Sequence, residues 1–484
     1  MTKARPVRPN LALAVIVIGV LITAVDSTIV VLALPTMMRS LHAGLSTVVW
    51  IVMAYLLVIT LLATQVGRLG DMFGRVRMYE LGFVVFVAGS VWCGLSDGWV
   101  VLVLARVVQG IGGALVSANS GAVIADVFPA ETRGRAYGYN SIGWNLGAIL
   151  GILLGGFITT YFSWRWIFFI NVPIGGIALG LALYSLKEHL TPKPHRLDVG
   201  GLVTLGMGLA SILLAMTRLS SAGWDRGDAA LLVLGVVFLA GFAWVESRQS
   251  DPLLHLGLFR IKVVTSSLLA SFFQGLGGFA VLFLIMMYLQ GARGLSPLSA
   301  SLLLVPGYLV GGVVGPFAGR LSDRVGSVLP ATLGLGLQAT AVLVYAQLGT
   351  RTSLALVIVA SIINGIGSGG FFPSNNAAVM KGAPAGQYGI ASGMLRTFSN
   401  VGMVMSFAAA ILMASTRIPR GLAFAIFVGT THLTPATEAT FVSGLHLALY
   451  LSIGMLVLAG LSSLVRGTGR PRSGQTAGDK AIGS

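Results

Sequence analysis

The feature that most limits how this chain can fold is a series of fourteen long apolar segments. Each is close to the roughly 20 residues that a helix needs to cross a bilayer. Only 10% of the 484 residues are charged, against about 25% in ordinary soluble proteins, so the chain cannot cover a soluble surface. We predict an all-α integral membrane protein with helices near residues 11–35, 47–66, 78–95, 99–121, 137–161, 166–186, 199–217, 229–245, 265–289, 299–318, 329–347, 353–376, 389–415 and 441–464.

The basic residues predict how these helices are oriented. An even number of spans puts both termini on one side of the membrane. Most of the 31 Lys and Arg residues fall at the termini and in the loops that share their side, which is typical of cytoplasmic segments. We therefore expect a multi-pass protein of the cell membrane, plasma or inner, with the N- and C-termini in the cytoplasm. The net charge of +16 is explained in the same way, and nucleic acid is not an expected partner.

Two polar stretches divide the predicted helices into groups. Residues 187–198 follow the sixth helix and residues 246–262 follow the eighth, so helices seven and eight form an inserted pair. We predict an N-terminal six-helix bundle over 1–198, the inserted pair and its linker over 199–262, a C-terminal six-helix bundle over 263–465 and a disordered cytoplasmic tail over 466–484. The protein is expected to be a monomer.

One short pattern occurs twice, after the second and after the tenth predicted helix. The copies read GRLGDMFG over 67–74 and GRLSDRVG over 319–326. Each follows the second helix of its half, which indicates the internal duplication found in many transporters. An aspartate at the membrane boundary can cap a helix or pair with arginine, and such a contact can hold the two halves together in one conformation. We interpret these residues as a conformational switch: Gly67, Asp71, Gly74, Arg75, Gly319, Asp323 and Arg324.

Other segments fit the same architecture. The first helix carries DSTIVVLALP over 26–35, and the fourth carries RVVQG over 106–110. The fifth contains the glycines of an antiporter-type motif: Gly147, Gly151, Gly155 and Gly156. Together these segments resemble the major facilitator superfamily over essentially the whole chain, and most of all its fourteen-helix drug:proton antiporter family, the multidrug efflux type. That family has proline where this chain has Ile152, so antiport and facilitated transport both stay open.

The resemblance implies a major facilitator fold of two six-helix bundles plus two inserted helices. It also implies a secondary active transporter that exports small amphipathic compounds, drugs or metabolites, in exchange for protons by alternating access. Two alternatives are a narrow-specificity exporter of a metabolite or lipid precursor and a non-transporting membrane sensor with this fold. The expected partners are the lipid bilayer, a small-molecule substrate and protons. No nucleotide-binding loop or metal-ligand spacing is present, so we expect no enzyme activity, no cofactor and no metal site.

Asp26 and Arg106 are the candidate proton-coupling residues, because ionisable groups deep in a span are costly and usually functional. If the first helix ends near Pro35, Asp26 lies about 13 Å below the outer end, and Arg106 lies about 10 Å below it in the fourth helix. The two side chains can therefore meet as an ion pair. That pair would keep Asp26 charged, and breaking it would favour protonation. A static pair that only fixes helix packing is the alternative.

Buried amides and aromatic residues mark a candidate substrate cavity, although each amide can instead join two helices. The cavity set is Tyr55, Gln109, Asn145, Phe273, Gln274, Asn364 and Phe371. The glycine-rich segment 365–373 of helix twelve could break or bend and expose backbone to this cavity. Arg396, in helix thirteen, could contact an anionic substrate group or reach the cytoplasmic surface.

Overall fold

The computed structural model describes residues 9–128, 130–188, 197–222, 225–249, 254, 256–384, 387–418 and 435–466. Within these ranges, fourteen helices are long and apolar enough to cross a membrane, which confirms the predicted fold class. The predicted disordered tail beyond Arg466 lies outside the described residues. The membrane helices are α1 Pro9–Leu41, α2 Trp50–Phe73, α3 Arg75–Leu95, α4 Trp99–Val127, α5 Ala130–Tyr161, α6 Asn171–Ser185, α7 Val199–Ala222, α8 Arg226–Arg248, α9 Lys262–Met287, α10 Pro297–Val325, α11 Val328–Tyr345, α12 Ala355–Gly382, α13 Tyr388–Ser415 and α14 Pro435–Val465.

Four short helical segments adjoin these helices within the described residues. Leu45–Val48 precedes α2, Trp166–Phe169 precedes α6, a 3-10 turn at Leu256–Arg260 precedes α9, and a π-helical turn at Tyr288–Ala292 continues α9. The expectation that the first helix ends near Pro35 was wrong, because α1 continues through this proline to Leu41. A proline is tolerated inside a membrane helix when neighbouring helices and side chains satisfy the freed backbone groups.

The helices pack as two similar sets of six. In the first set α1 packs on α5, α2 on α4, and α3 on α4 and α6. The second set repeats these pairings with every helix number raised by eight: α9 on α13, α10 on α12, and α11 on α12 and α14. This matches the internal duplication read from the repeated motif. The domain boundaries themselves remain a prediction from the sequence.

Among the described residues the two sets meet mainly along two seams, α5 against α10 and α2 against α13. The inserted pair lies at the second seam, because α7 packs on both α2 and α13 while α8 packs mainly on α7. The side chain of Trp50 in α2 donates to the Thr217 hydroxyl in α7 at 3.3 Å. The inserted pair therefore covers one of the two lines along which the bundles contact each other.

Helix α12 is continuous from Ala355 to Gly382, so its glycine-rich segment does not break the helix. The glycines serve close packing instead. A Cβ atom on Gly367 would lie 2.6 Å from the Gly334 carbonyl oxygen of α11, and one on Gly365 would meet the backbone of Gly307 in α10. Without side chains at these points, three helix backbones can approach each other closely.

Candidate functional site

Asp26 and Arg106 form an ion pair in the interior of the first bundle. Asp26 lies on α1 and Arg106 on α4, and an Oδ2–Nη1 distance of 2.6 Å joins them. Their side chains are 0% and 1% exposed. Two charges removed from solvent in this way are stable only when they are paired and hydrogen-bonded, because desolvation costs several kcal/mol per ion, as an order of magnitude.

Two amide side chains complete the surroundings of this carboxylate. Asp26 Oδ1 accepts from Gln109 Nε2 at 2.9 Å and from Asn171 Nδ2 at 3.2 Å. Gln109 also accepts from Arg106 Nη1 at 2.7 Å and donates to Ser90 Oγ at 2.8 Å. Because Gln109 lies three residues after Arg106 on one face of α4, both side chains point at the same carboxylate.

The guanidinium group of Arg106 has contacts that do not depend on Asp26. Its Nε donates to the Ile51 carbonyl at 3.0 Å, and its central carbon lies 4.0 Å from the centre of the Tyr55 ring. A cation over an aromatic face is stabilised by the ring quadrupole. Arg106 thus keeps several partners whether Asp26 is charged or neutral.

Asn171 has a free acceptor beside the carboxylate. Its Oδ1 atom is buried and makes no hydrogen bond among the described residues, while its Nδ2 donates to Asp26. A neutral carboxylic acid needs an acceptor for its own O–H group. Rotation of the Asn171 amide by half a turn would present Oδ1 for that purpose, so this cluster has hydrogen bonds for both protonation states of Asp26.

The two copies of the repeated motif end their helices in the same way. Gly74 and Gly326, the last residue of each copy, have φ angles of 104° and 89°, which only glycine adopts without strain. The rest of each copy belongs to α2 or α10 rather than to a loop. The chain therefore turns between the two helices at one glycine per copy.

The ion pairs of the motif stay within each half. Arg75 contacts Asp71 at 2.8 Å and Asp126, at the end of α4, at 2.7 Å. In the second half Asp323 pairs with Lys381, at the end of α12, at 2.9 Å. Each motif aspartate is thus linked to the fourth helix of its own bundle. None of these ion pairs joins the two halves, unlike the contact suggested from the sequence, and no hydrogen bond or ion pair is found for Arg324 among the described residues.

The surroundings of Asp126 affect its titration. Burial raises the pKa of the Asp126 carboxyl above its ordinary value, and the Arg75 guanidinium opposes that shift. At the start of α3, Glu188 Oε2 accepts from the backbone N–H of Val76 at 3.0 Å, which caps that helix. Acidic groups therefore surround the basic turn that connects α2 with α3.

The glycines of α5 form a ladder against α1. Cβ atoms on Gly147 and Gly151 would lie 2.6 Å and 2.7 Å from the carbonyl oxygens of Leu21 and Val25, one turn apart on α1. Gly155 continues the row, whereas Gly156 faces the start of α10, where a Cβ atom would lie 3.0 Å from the Pro297 carbonyl oxygen. The motif therefore packs α5 on α1 and also forms part of the seam between the halves.

The seven residues predicted to line a cavity have different surroundings. Tyr55 and Gln109 belong to the buried cluster around Asp26. Gln274 of α9 donates to Gln338 of α11 at 3.0 Å, a bond between helices of one bundle. Phe371 is 0% exposed, so it packs in the interior instead of lining open space. Of the remaining three, Phe273 and Asn364 are partly buried and Asn145 is exposed.

Direct hydrogen bonds between the halves lie near both ends of the helices. The Thr160 hydroxyl accepts from the backbone N–H of Leu298 at 3.1 Å, near the end predicted to face outside. Towards the opposite end, Arg396 of α13 donates to the Ser117 carbonyl of α4 at 3.3 Å and is exposed. Arg396 therefore bridges the two bundles, a position that neither of the sequence-based readings predicted.

Two members of the buried cluster were missed as site residues. Asn171 falls inside the predicted helix 166–186 without a role of its own, and Ser90 carried no signal. The signal that could have found Asn171 is an amide side chain within an apolar span, which needs a hydrogen-bond partner. Its 0% exposure shows that it faces the bundle interior.

Residues 16–407 match the family model described as "Major Facilitator Superfamily". A riboflavin transporter, RibZ of Clostridioides difficile, is 30% identical and aligns over 82% of this chain and 86% of its own length. The multidrug resistance protein Stp of Mycobacterium tuberculosis is 30% identical over 81% of this chain and 73% of its own. Among solved structures, a bacterial homologue of the human lysosomal transporter Spinster, inward-facing and unoccupied, has a TM-score of 0.68 at 17% identity, covering 95% of this chain and 96% of that one.

Proposed function

The chain belongs to the Major Facilitator Superfamily, a family of membrane transporters and not of enzymes, and from this premise we propose that it exports small amphipathic compounds, drugs or metabolites, in exchange for protons. Relatives named as multidrug resistance and multidrug transporter proteins support the substrate class. The observation that carries the proton part is the buried ion pair between Asp26 and Arg106. We further propose cytoplasmic termini and a monomeric transporter.

Asp26 is the proposed proton carrier. With Arg106 at 2.6 Å, the ionised carboxylate is stabilised by a full charge and by two amide donors. When the cluster opens to water and a proton binds, the attraction between α1 and α4 is lost, and Asn171 can accept the new O–H group. Arg106 then keeps Gln109, the Ile51 carbonyl and the Tyr55 ring. The proton therefore changes how strongly two helices attract each other at modest cost in lost hydrogen bonds.

Helix α4 would transmit this change along the first bundle. Its middle carries Arg106, and its end carries Asp126, which Arg75 ties to the repeated motif. Its Ser117 carbonyl accepts from Arg396 of the second bundle. A small movement of α4 relative to α1 would thus reach both the motif turn and the contact between the bundles. This is the linkage that alternating access needs.

A narrow-specificity metabolite exporter is the second candidate. It is favoured by one observation, the 30% identity to a protein named as a riboflavin transporter, which equals the identity to the multidrug relative Stp.

Transport by purified protein in proteoliposomes tests the proposal. With ethidium as probe, an imposed pH gradient should drive dye movement, and a protonophore should abolish it. Riboflavin in the same vesicles tests the narrow alternative. Movement of either probe that ignores the protonophore contradicts proton coupling and indicates a facilitator. No movement of ethidium combined with pH-driven movement of riboflavin would replace the first candidate by the second.

A further inference from the structure

The inserted pair contains two buried carboxyl groups that the proposed transport chemistry does not use. Asp198 immediately precedes α7, and Glu246 lies in the last turn of α8. They are 1% and 2% exposed. An ionised carboxylate is rarely buried this far unless a partner compensates its charge.

Each carboxyl group has one oxygen that accepts hydrogen bonds and one that does not. Asp198 Oδ1 accepts from the Gly201 N–H at 2.7 Å and from Gln249 Nε2 at 3.0 Å. Glu246 Oε2 accepts from the Leu254 N–H at 3.0 Å. Asp198 Oδ2 and Glu246 Oε1 are buried and have no hydrogen-bond donor among the described residues. Each acid therefore has one oxygen without a hydrogen bond.

Both oxygens face the same point. A Cβ atom on Gly201 would be under 3.0 Å from both Asp198 Oδ2 and Glu246 Oε1, so the two oxygens are less than 6 Å apart. Two carboxylates at this separation cannot both stay ionised, because like charges away from water repel strongly. One proton held between them removes the repulsion and gives both oxygens a hydrogen bond.

The acid pair is attached to the first bundle through α2. Gln65 Nε2 donates to the Asp198 carbonyl at 2.8 Å, and the Gln65 side chain also has a buried oxygen, Oε1, without a donor. The charged group that acts on Glu246 from α2 is Arg68. Two more basic side chains point elsewhere: Arg248 stacks on Trp244 of its own helix, and Arg396, the one charged residue of α13, donates to Ser117 of α4. No hydrogen bond from a cation reaches the two bare oxygens within the described residues.

We propose that Asp198 and Glu246 bind one shared proton, and that this proton holds the base of the inserted pair together beside α2. Its loss places two negative charges on adjacent oxygens, so the contact between the start of α7 and the end of α8 should open. The bond from Gln65 to the Asp198 carbonyl should weaken with it. The site is separate from Asp26 and does not rest on the proposed transport function.

The test compares the full-length protein with Glu246→Gln and Asp198→Asn in detergent, by thermal unfolding between about pH 5 and pH 9. The folded wild type keeps a proton that the unfolded chain releases near the ordinary carboxyl pKa of about 4, so its stability is greatest at low pH and falls as the pH rises. An amide N–H replaces the shared proton in either variant. Each variant should therefore lose less stability with pH and have a Tm about 2 °C or more above wild type at the alkaline end.

Asp97→Asn is the matched control, because the Asp97 side chain is 98% exposed. The Tm of this variant should change with pH as that of the wild type does. Infrared pH-difference spectra supply a second measurement. The wild type and the control should show the carbonyl band of a buried protonated carboxyl group, and Glu246→Gln and Asp198→Asn should each lose it. Variants that are less stable than wild type at every pH and that keep the band would overturn the shared proton, because the band would then come from another carboxyl group.

Discussion

The chemistry of the Asp26 site depends on which side chains donate hydrogen bonds to its carboxylate. Arg106 and Gln109 approach it from α4, and Asn171 approaches it from α6. A charge buried to 0% exposure is tolerable only because all three are present. The Asn171 Oδ1 atom, which accepts no hydrogen bond among the described residues, can lower the free-energy cost of a neutral Asp26 by accepting its O–H group. These donors and this acceptor match the two protonation states that we propose for Asp26.

Removal of Arg106 alone should be far more harmful than removal of both charges. Arg106→Gln leaves a buried carboxylate without its cation and should lower the free energy of unfolding by about 3–5 kcal/mol. The double variant Asp26→Asn/Arg106→Gln carries no buried charge there and should regain most of that loss. Unfolding of the purified variants in detergent measures both. A double variant no more stable than Arg106→Gln would show that the unpaired buried charge does not cause the loss of stability.

At the scale of the element, α1 and α5 are joined by backbone contact. The glycines at 147, 151 and 155 put one helix directly on the carbonyl groups of the other. Ile152, which stands where the family has proline, is 0% exposed and packs in the same interior. Helix α5 is continuous across this position. The ladder could be predicted from the spacing of the glycines. Its partner helix could not, because spacing says nothing about which neighbour a face will meet.

The ladder predicts a position-specific effect of a single methyl group. Gly151→Ala places a Cβ atom 2.7 Å from the Val25 carbonyl oxygen, so α1 and α5 must separate, and both stability and transport should fall. Gly180→Ala in α6 is the matched control, since no atom lies within 4 Å of its Cβ position. That control should be neutral or stabilising by up to about 1 kcal/mol, from helix propensity alone. Equal losses in the two variants, measured by thermal unfolding, would argue against the packing role.

At the scale of the whole molecule, two duplicated bundles share two seams, and one seam is covered by the inserted pair. Hydropathy predicted all fourteen spans, and the repeated motif predicted the duplication, because both are properties of local sequence. The depth argument also brought Asp26 and Arg106 together, although it assumed that α1 ended at Pro35. The depth argument could not predict side-chain partners. In the structure Asn171 donates to Asp26, Asp323 pairs with Lys381 of its own half, and Arg396 donates to the Ser117 carbonyl of the other half. Each of these contacts depends on how the helices pack, which cannot be predicted from the local sequence pattern.

The role of Asp26 is tested most directly by pH-driven ethidium transport by Asp26→Asn in proteoliposomes. The comparison is exchange of the same dye by the same variant at equal pH on both sides. An asparagine cannot carry a proton, so the pH gradient should no longer drive transport. Dye exchange without a gradient should persist, which shows that the variant is folded and binds its substrate. Transport by Asp26→Asn that still follows the pH gradient at the wild-type rate would contradict the role given to this carboxylate.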